Sequence, residues 1–577
     1  MSETGSAAVS ADVVIAGAGP NGLMLACELS LAGVRPLVLE RLAARTLENR
    51  ANGLVGQVVR MLDRRGLYER LGGPRPLRPQ PSFVFGALPL DLTKLPDRDN
   101  PLYILQVPQR RVEQMLEERA VELGVEIRRG HELTTLSQDG DGVTAEVAGP
   151  DGVYRLTARY LVGADGGRSV TRKLSGIEFP GVSRDGLISR TAHVSVPAEI
   201  IDPVTGGLDI PGYGIVPPFL HHRTERGLFV FAPFLTGPLI STMELEQEPG
   251  EAAALPALAL PEVRESARRV LGAEVPFGPP EGEGPHLLRR LTGGNTRLAA
   301  RFRDRRVLLA GDAAHVHSAI GGPGLNLGLQ DTVNLGWKLA AEIHGWAPPE
   351  LLDSYEAERR PAAERVAMHT QAQSALIAPG SDVTALRELF GELLRDPRNA
   401  RHIADTMAGA DIRYDMGGGE AGAAHPLTGR WAPDLTLDTG SGPVRLAELT
   451  AGARPLLLDL TEDGSPGRES SGWHDRVDAV AARPAAPSPQ ATGDDATASG
   501  PTAPDADPRD PGAPVTALLL RPDCYVAWAT QSARPDERER QELRAALSRW
   551  FGAPVESGGL RGDEHSPFGQ VTTQTGL

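Results

Sequence analysis

The stretch Asp12-Val-Val-Ile-Ala-Gly-Ala-Gly-Pro-Asn-Gly-Leu-Met-Leu-Ala-Cys-Glu-Leu29 decides the fold of this chain. Its apolar run, residues 13–16, predicts a strand that is buried on both faces, as strands of parallel sheets are. A helical pattern follows to about Leu31, and a second apolar run, residues 36–39, ends at Glu40. Strand, helix and strand form one βαβ unit, which predicts a doubly wound α/β sheet.

The turn between the first strand and the helix carries the pattern Gly17-x-Gly19-x-x-Gly22. In this context the first glycine allows the tight turn, the second lets the backbone approach a diphosphate, and the third lets helix and strand pack closely. The start of the helix offers unpaired N–H groups and the positive end of its dipole. The turn, with Pro20 and Asn21 inside it, is therefore predicted to bind a dinucleotide.

Glu40 indicates which dinucleotide is bound. It stands 18 residues after Gly22, at the end of the second strand, where a carboxylate can accept hydrogen bonds from both ribose hydroxyls. A carboxylate disfavours a 2′-phosphate at the same place. The resident nucleotide is therefore expected to be FAD or NAD rather than NADP.

A second motif far downstream favours FAD. The apolar run Val307-Leu-Leu-Ala310 predicts a buried strand that ends in Gly311-Asp312, and Gly321-Gly-Pro-Gly-Leu-Asn326 then opens a long helix. A buried aspartate at the end of this strand would be satisfied by the ribityl hydroxyls of a flavin. The helix N-terminus would face the pyrimidine edge of the flavin, where negative charge gathers on reduction. An NAD dehydrogenase has no use for this second site.

Between these two motifs lies a third strand-and-turn segment, Tyr160-Leu-Val-Gly-Ala-Asp-Gly-Gly-Arg-Ser-Val-Thr-Arg172. With the three motifs in this order, the chain resembles the single-component (class A) FAD-dependent aromatic hydroxylases, the family of para-hydroxybenzoate hydroxylase. More narrowly, it is similar to the branch that acts on aromatic polyketides. The resemblance covers roughly residues 10–480 and 515–577.

The resemblance implies cofactor contacts that are spread along the chain. Asp165 would support FAD and a transiently bound NAD(P)H. The other implied contacts follow the cofactor from the ADP half, through the diphosphate and ribityl region, to the isoalloxazine ring. In that order they are Gly17, Gly19, Gly22, Glu40 and Arg41, then Arg50, Gln109 and Asp312, and finally Gly324, Leu325 and Asn326.

Two positions depart from the family pattern. Ala319 stands where relatives usually have proline, and Pro323 stands where they usually have glutamine. Both positions are expected to border the flavin ring and the substrate. Proline has no N–H group and a fixed φ angle, so hydrogen bonding beside the flavin is expected to differ here.

The resemblance also implies the reaction. NAD(P)H would give a hydride to FAD, and the reduced flavin would trap O2 as a C4a-hydroperoxide whose distal oxygen hydroxylates a polycyclic aromatic substrate. The chemistry is borne by the flavin, so no catalytic side chain is assigned. Baeyer–Villiger oxygenation of a polyketide ketone on the same fold remains an alternative. A non-catalytic flavin-binding scaffold is disfavoured by the intact motifs.

The chain as a whole is expected to form three domains, one of them thioredoxin-like by resemblance. Residues 483–514 contain no large apolar side chain, so they cannot offset their ordering entropy and are expected to be a disordered insertion. The expected parts are a Rossmann-like FAD-binding domain (10–75, 106–180 and 290–375), an inserted mixed-sheet substrate domain (76–105 and 181–289), connecting helices (376–425) and the thioredoxin-like domain (426–577).

Aromatic side chains in the sheet segments suggest a pocket for a flat polycycle. The predicted pocket residues are Tyr103, Tyr213, Phe219, Phe229 and Phe231, together with Ala319.

Composition excludes several classes of partner. Lysine plus arginine number 59 against 75 acidic residues, and the net charge of −16 argues against nucleic acid. No apolar run is long enough to span a membrane. The two cysteines, Cys27 and Cys524, are far apart, which excludes a disulfide framework or a cysteine-built metal site and fits a reducing cytoplasm. No metal site is expected, and the enzyme is expected to be a monomer or homodimer.

Overall fold

The computed structural model describes residues 9–46, 51–96, 99–183, 186–234, 237–245, 257–284, 286–292, 294–318, 320–417, 424–440, 442–484 and 515–555. Two predicted site residues, Arg50 and Ala319, lie outside these ranges. The disordered insertion expected over 483–514 also lies outside them, except for its first two residues. Arg483–Pro484 forms a short strand, so the predicted start of the insertion is too early.

An eight-stranded sheet is the centre of the first domain. Val9–Ala16 pairs in parallel with Gly152–Gly163 on one side and with Pro36–Glu40 on the other. Every side chain from Val13 to Ala16 is buried, as expected for a strand covered on both faces. The strands in spatial order are Arg303–Asp304, Val307–Leu309, Gly152–Gly163, Val9–Ala16, Pro36–Glu40 and Glu126–Arg129, and the hairpin of Glu132–Gln138 and Val143–Gly149 continues from Gly152–Gly163.

The two faces of this sheet are covered differently. Val13 and Ile15 face a layer of helices, whereas Val14 and Ala16 face the antiparallel hairpin. The α/β fold is confirmed, but helices do not cover both faces as a doubly wound sheet would require. The helices of the domain are Pro20–Leu31, Gln57–Asp63, Gln109–Glu122, Val170–Leu174, Pro323–His344 and Ser354–Leu376.

The segment after the short strand Leu54–Val55 forms two short helices. The α-helix ends at Asp63, and Glu69–Leu71 forms a separate 3-10 helix, because Gly66 adopts a positive φ of 67° that an α-helix cannot contain. Two small sheets complete the domain. They are formed by Leu54–Val55 with Ile104–Leu105, and by Gly181–Ser183, Asn295–Leu298 and His315–Val316, with the 3-10 helix Gly311–Ala313 beside the latter.

The second domain is a five-stranded sheet with one helix on it. Phe229, Phe231 and Ile240 face the helix Leu260–Leu271 and form the core. A mixed sheet was expected, but the described strands pair only in antiparallel fashion. Hairpins connect the three strands between His221 and Leu245, and Leu187–His193 lies antiparallel between Gly237–Leu245 and Leu288–Thr292. In spatial order they are His221–Thr224, Gly227–Phe234, Gly237–Leu245, Leu187–His193 and Leu288–Thr292, with the 3-10 helix Ala198–Ile200 and the hairpin Leu208–Ile210 and Gly214–Val216 beside them.

Residues 76–105 do not join this sheet, although they were assigned to the same domain. Ser82–Phe85 and Leu88–Asp91 form a separate hairpin. Its leucines pack on the helices Ser381–Leu393 and Pro397–Ala408, which follow the first domain in the chain.

The C-terminal domain has the expected thioredoxin-like form. A parallel pair of strands, Leu456–Asp459 and Asp478–Ala481, is extended by the antiparallel strands Ala517–Leu520 and Val526–Thr530. Its other elements are the helices Leu446–Leu449, Ser465–Glu469 and Glu537–Phe551, the 3-10 helix Ser470–Trp473, and a small sheet of Thr436–Asp438, Pro443–Arg445 and Arg483–Pro484. None of the helices in the described ranges is long and apolar enough to cross a membrane.

A buried ionic cluster joins this domain to the first. The Arg521 guanidinium donates to both carboxylate oxygens of Glu358, at 2.6 and 2.7 Å, and also to Asp523. Lys338 Nζ donates to Glu358 Oε2 at 2.7 Å. Arg521 is fully buried, with its guanidinium carbon 4.6 Å from the centre of the Trp550 ring. The cluster therefore fixes the C-terminal domain on the long helix Pro323–His344, to which Lys338 belongs.

We expect Arg521→Ala to lower the free energy of unfolding by about 3–5 kcal/mol, since it leaves Glu358 and Asp523 as buried charges without their main partner. Equilibrium urea unfolding measures this change. Arg534→Ala is the matched control, because Arg534 and its partner Glu462 are exposed and such pairs contribute little. An Arg521→Ala variant as stable as the control would contradict the importance of the cluster.

Candidate active site

A cavity of about 1520 Å³ lies between the first domain and the five-stranded sheet. It begins at the glycine turn, at the carboxyl ends of the parallel strands, where open α/β sheets place their ligands. It continues past Asp312 and the start of the long helix to the sheet of the second domain. This one cavity is therefore long enough to hold both a dinucleotide cofactor and a second molecule beside it.

The three glycines of the first turn have different surroundings. Gly17 has a φ of 108°, and a Cβ atom there would lie 2.5 Å from the carbonyl oxygen of Ala164. A Cβ at Gly22 would lie 1.9 Å from the carbonyl oxygen of Gly17. A Cβ at Gly19 would meet nothing within 4 Å, so this position is open to the cavity at the start of the helix. Gly17 and Gly22 serve the fold, and Gly19 leaves open the cradle that a diphosphate would require.

Glu40 lies on the cavity wall and is oriented by the backbone. Its Oε2 accepts the N–H of Ala18 and its Oε1 accepts the N–H of Leu42, each at 2.9 Å. Each oxygen keeps acceptor capacity for a ribose hydroxyl. Arg41 and Gln109 also line this end of the cavity, and Gln109 donates to Glu113 at 2.7 Å.

Asp165 lines the cavity, but its carboxylate is engaged in holding the turn that follows its strand. One oxygen accepts the Ser169 hydroxyl, and the other accepts the N–H and the hydroxyl of Thr171 at 2.9 and 3.0 Å. These bonds position the start of the helix Val170–Leu174.

Asp312 differs from expectation in its burial. The sequence suggested a buried carboxylate, but the structure places this side chain exposed on the cavity wall, within the 3-10 helix Gly311–Ala313. A Cβ at Gly324 would lie 3.9 Å from its Oδ1, so Asp312 stands beside the start of the long helix. A carboxylate at this point can accept hydroxyl donors from a ligand in the middle of the cavity.

The four described residues that were predicted to border the isoalloxazine ring form two groups. Gly324 and Leu325 line the cavity. Pro323 is buried at the first turn of the long helix, where a missing N–H costs nothing, and does not line the cavity. Asn326 is also turned away, since its side chain accepts the N–H of Val55 at 3.0 Å and donates to the Gly322 carbonyl at 2.9 Å. Neither the Pro323 nor the Asn326 side chain is part of the described cavity lining, and their contact with a flavin stays a prediction.

His317 lines the cavity, although the sequence motifs assign it no role. Its Nδ1 lies 3.1 Å from the Ser318 carbonyl, which can only accept, so Nδ1 carries the proton. Nε2 is then an acceptor, and it lies 3.6 Å from the position of a Cβ at Gly324. Burial lowers the pKa of His317 to about 4, so the ring is neutral near pH 7. Within the described ranges, no three His, Cys, Asp or Glu residues cluster as a metal site would require.

Of the predicted pocket aromatics that the structure describes, Phe219 lines the cavity. The prediction is wrong for Phe229 and Phe231, which face the helix Leu260–Leu271, because successive side chains of a strand point to opposite faces. It is also wrong for Tyr103, which packs against the first domain, and for Tyr213, which packs against the core of the sheet domain and bonds His222.

The alternate residues of the same strands form the wall instead. Residues that sequence reasoning missed include Val230, Ala232, Leu239, Ser241, Thr191 and Arg289. In the strand Gly227–Phe234 both faces are apolar, so an alternation of polar and apolar residues, the signal that identifies a face, is missing there.

The glycine cradle, the oriented Glu40 carboxylate and the exposed Asp312 occur in the order that FAD needs along one groove. Comparison with known proteins also supports FAD as the cofactor. A family model described as FAD binding domain matches residues 10–209 and 261–370, and one described as aromatic-ring hydroxylase, C-terminal, matches residues 425–554.

The similar proteins cover nearly the whole chain. The 12-dehydrotetracycline 5-monooxygenase/anhydrotetracycline 6-monooxygenase of Streptomyces rimosus is 43% identical, over 94% of this chain and 99% of that protein. The solved structure of an anhydrotetracycline hydroxylase from Streptomyces rimosus has a TM-score of 0.77 at 40% identity and covers 95% of this chain and all of that one. An aromatic hydroxylase from angucycline biosynthesis has a TM-score of 0.76 at 35% identity, over 94% of this chain and 99% of that one.

We expect Gly19→Ala to raise the dissociation constant of FAD at least about tenfold, since the methyl group enters the open cradle. Apoprotein stability should not fall, because the φ of −75° at Gly19 suits alanine. Gly22→Ala should instead destabilise the apoprotein by about 1–3 kcal/mol through overpacking. Equilibrium FAD titration and thermal melting of the apoproteins separate the two effects. Equal FAD affinity in Gly19→Ala and the wild type would contradict the cradle.

We expect Asp312→Ala to weaken FAD binding about tenfold to a hundredfold, as the loss of hydrogen bonds to a charged group does. The apoprotein should melt as the wild type does, because the side chain is exposed. The measurement is the melting temperature of the apoprotein against FAD concentration. Asp151→Ala, an exposed aspartate in a turn outside the cavity, is the control. Identical FAD responses of the two variants would show that Asp312 does not hold the cofactor.

Proposed function

Because this chain belongs to the FAD-dependent aromatic-ring hydroxylase family, we propose that it hydroxylates a polycyclic aromatic polyketide, with NAD(P)H as reductant and O2 as the source of oxygen. The observation that carries this proposal is the single cavity that joins a cofactor groove to an apolar sheet wall. The names of the similar proteins support the substrate class, since they include anhydrotetracycline and angucycline enzymes.

Bound FAD supplies the redox chemistry, taking electrons from NAD(P)H and activating O2. The chain supplies binding and orientation. The cradle at Gly19 and the Glu40 carboxylate would hold the ADP half, and Asp312 would hold the ribityl hydroxyls. The positive end of the long-helix dipole, at Gly324 and Leu325, would favour negative charge at the ring.

The wall of the second domain excludes water and positions the substrate. Val230, Ala232 and Leu239 present an apolar surface to the cavity, and the rings of Phe219 and Phe234 meet edge to face at its side, 5.5 Å apart. Flat polycycles bind to such surfaces through apolar burial. Neutral His317 offers its Nε2 to a substrate hydroxyl near the start of the long helix.

The Baeyer–Villiger alternative is not favoured by the three similar proteins described above, which are named as a monooxygenase and two hydroxylases. We also propose that the enzyme works in the cytoplasm as a monomer or homodimer on a small molecule. The separation of the two cysteines along the sequence supports a reducing compartment, and the net charge of −16 argues against a nucleic-acid partner.

The test uses purified holoenzyme with NADH or NADPH and a panel of polycyclic phenols and ketones that includes anhydrotetracycline. We expect one panel member to accelerate anaerobic flavin reduction and to gain one atom of oxygen-18 from labelled O2 as a new hydroxyl group. A product that alkali opens as an ester or lactone would show Baeyer–Villiger chemistry. NAD(P)H oxidation that yields only hydrogen peroxide with every compound would contradict the proposal.

Two neighbouring residues test the position of the substrate wall. We expect Ala232→Leu to raise the Michaelis constant for a large polycycle at least about tenfold, since it fills the cavity, with FAD content unchanged. Phe231→Leu, on the opposite face, should lower stability by about 1–3 kcal/mol and leave substrate preference unchanged. Steady-state kinetics and thermal melts give both readouts, and the reverse pattern would contradict the assignment of faces.

A further inference from the structure

Two hydroxyl groups lie side by side in the middle of the sheet wall of the cavity. Ser241 and Thr191 belong to the third and fourth of the five strands and are direct register partners. Their hydroxyl oxygens lie 2.8 Å apart, and both side chains line the cavity. Apolar lining residues adjoin them, Val230 across the sheet and Leu239 along the strand, while Arg289 is the register partner of Thr191 on the edge strand. The pair is therefore a polar point that borders the apolar part of the wall.

One hydroxyl hydrogen of this pair remains available to a ligand. Two hydroxyl groups bring two hydrogens, and the bond between Thr191 and Ser241 uses one of them. The hydroxyl that accepts this bond keeps its own hydrogen, for which the described residues supply no acceptor. A donor that is cut off from water without an acceptor is costly. A ligand that displaces water from this part of the wall must therefore bring an acceptor of its own.

The hydroxyls on the opposite face of the sheet are satisfied within the protein. Thr242, the neighbour of Ser241, faces the helix Leu260–Leu271, and its hydroxyl oxygen lies 2.6 Å from that of Ser266. Ser266 donates its own hydrogen to Glu244 at 2.5 Å, so Thr242 must be the donor to Ser266. Both hydrogens of that pair are used. An unused hydroxyl hydrogen is thus a property of the cavity face and not of the sheet in general.

We propose that the pair formed by Thr191 and Ser241 donates a hydrogen bond to a ketone or quinone oxygen of the polycyclic substrate. The inference rests on the proposed function, because it takes the sheet wall as the substrate surface. A carbonyl oxygen has lone pairs and no hydrogen, so it satisfies the unused donor without adding another. The pair thereby determines which edge of the substrate faces the sheet.

The first domain presents the opposite hydrogen-bonding role to the same cavity. His317 Nδ1 donates to the Ser318 carbonyl at 3.1 Å, so Nε2 of the neutral ring can only accept. A phenolic hydroxyl suits His317, and a ketone suits the pair on the sheet. A substrate that carries both groups on different edges is held in one orientation, since the reversed one sets the ketone lone pairs against the Nε2 lone pair. The two sites together therefore select which edge of the ring system faces the flavin.

The experiment compares phenols that differ only by a carbonyl or a methylene group, bound to the FAD-loaded enzyme. The probe pairs are 2-hydroxyfluorenone with 2-hydroxyfluorene and 4-hydroxyfluorenone with 4-hydroxyfluorene. Titration of the flavin absorbance gives the Kd of each probe, and the ratio of the methylene Kd to the ketone Kd is the measured quantity. We expect the double variant Thr191→Val with Ser241→Ala to lower this ratio about threefold to tenfold in at least one pair, as the loss of one neutral hydrogen bond does.

Two further variants serve as controls. Thr191→Ser keeps both hydroxyl groups on the cavity face, so it should keep the wild-type ratio. Thr242→Val removes the neighbouring hydroxyl on the helix face, so it should lower the melting temperature and leave the ratio unchanged.

A wild-type ratio for both probe pairs in the folded, yellow double variant overturns the inference, because another group of the wall would then bind the ketone. An equal fall of the ratio in Thr242→Val also overturns it, since the effect would then come from the sheet as a whole. Hydroxylation of polycyclic phenols by an enzyme whose ratio does not depend on the pair overturns this inference alone. A ratio that depends on the pair, without turnover of any polycycle, overturns the proposed function.

Discussion

The side chain of Asn21 holds the two ends of the cofactor groove together. It occupies a notch between Gly311, beside Asp312, and Gly328, in the long helix. A Cβ at Gly311 would lie 1.9 Å from its Nδ2, and one at Gly328 would lie 2.4 Å from the same atom. Further along, a Cβ at Gly336 would lie 2.6 Å from Glu28. Two buried helices thus approach closely because one of them presents glycines, and close packing in such interiors leaves no room for even one methyl group. The distance between the diphosphate cradle and the ring end of the cavity follows from this contact.

The long helix Pro323–His344, which carries Gly328 and Gly336, also contacts the C-terminal domain. Its first turn borders the cavity, whereas Trp337 and Lys338, three turns later, lie in the interface with the C-terminal domain. Burial lowers the pKa of Lys338 to about 8, and Glu358 opposes this effect as its ion partner. The domain has a thioredoxin-like form, but Cys524 is buried and has no second cysteine near it in the sequence. Its contribution is to support the helix rather than to perform dithiol redox chemistry, since a thioredoxin-type thiol needs exposure and a second cysteine.

The cofactor end of the cavity could be predicted from sequence because its determinants are local. The order of strand, glycine turn, helix, strand and Glu40 specifies both the backbone path and the ligand that fits it. The substrate end could not be predicted in the same way. Phe229 and Val230 are both apolar neighbours on one strand, and only the packing of the helix Leu260–Leu271 decides which of them faces the cavity. Asn326 shows a related difficulty, since its motif marks the right turn but its amide is used by Val55 and Gly322.

Charge along the cavity wall gives a physical reason for the order of its ligands. The chain carries a net charge of −16, which repels a dinucleotide diphosphate at long range. Arginines on the cavity wall, among them Arg41 and Arg168, offset part of this repulsion locally. In the middle, Asp312 and neutral His317 present acceptors, which suit hydroxyl groups and not anions. A cofactor with an anionic diphosphate followed by a run of ribityl hydroxyls matches this sequence of charges. The Coulomb energy between a ligand group and a wall residue falls with distance and with solvent exposure. Charged residues on the cavity wall therefore orient the ligand more strongly than residues on the open surface could.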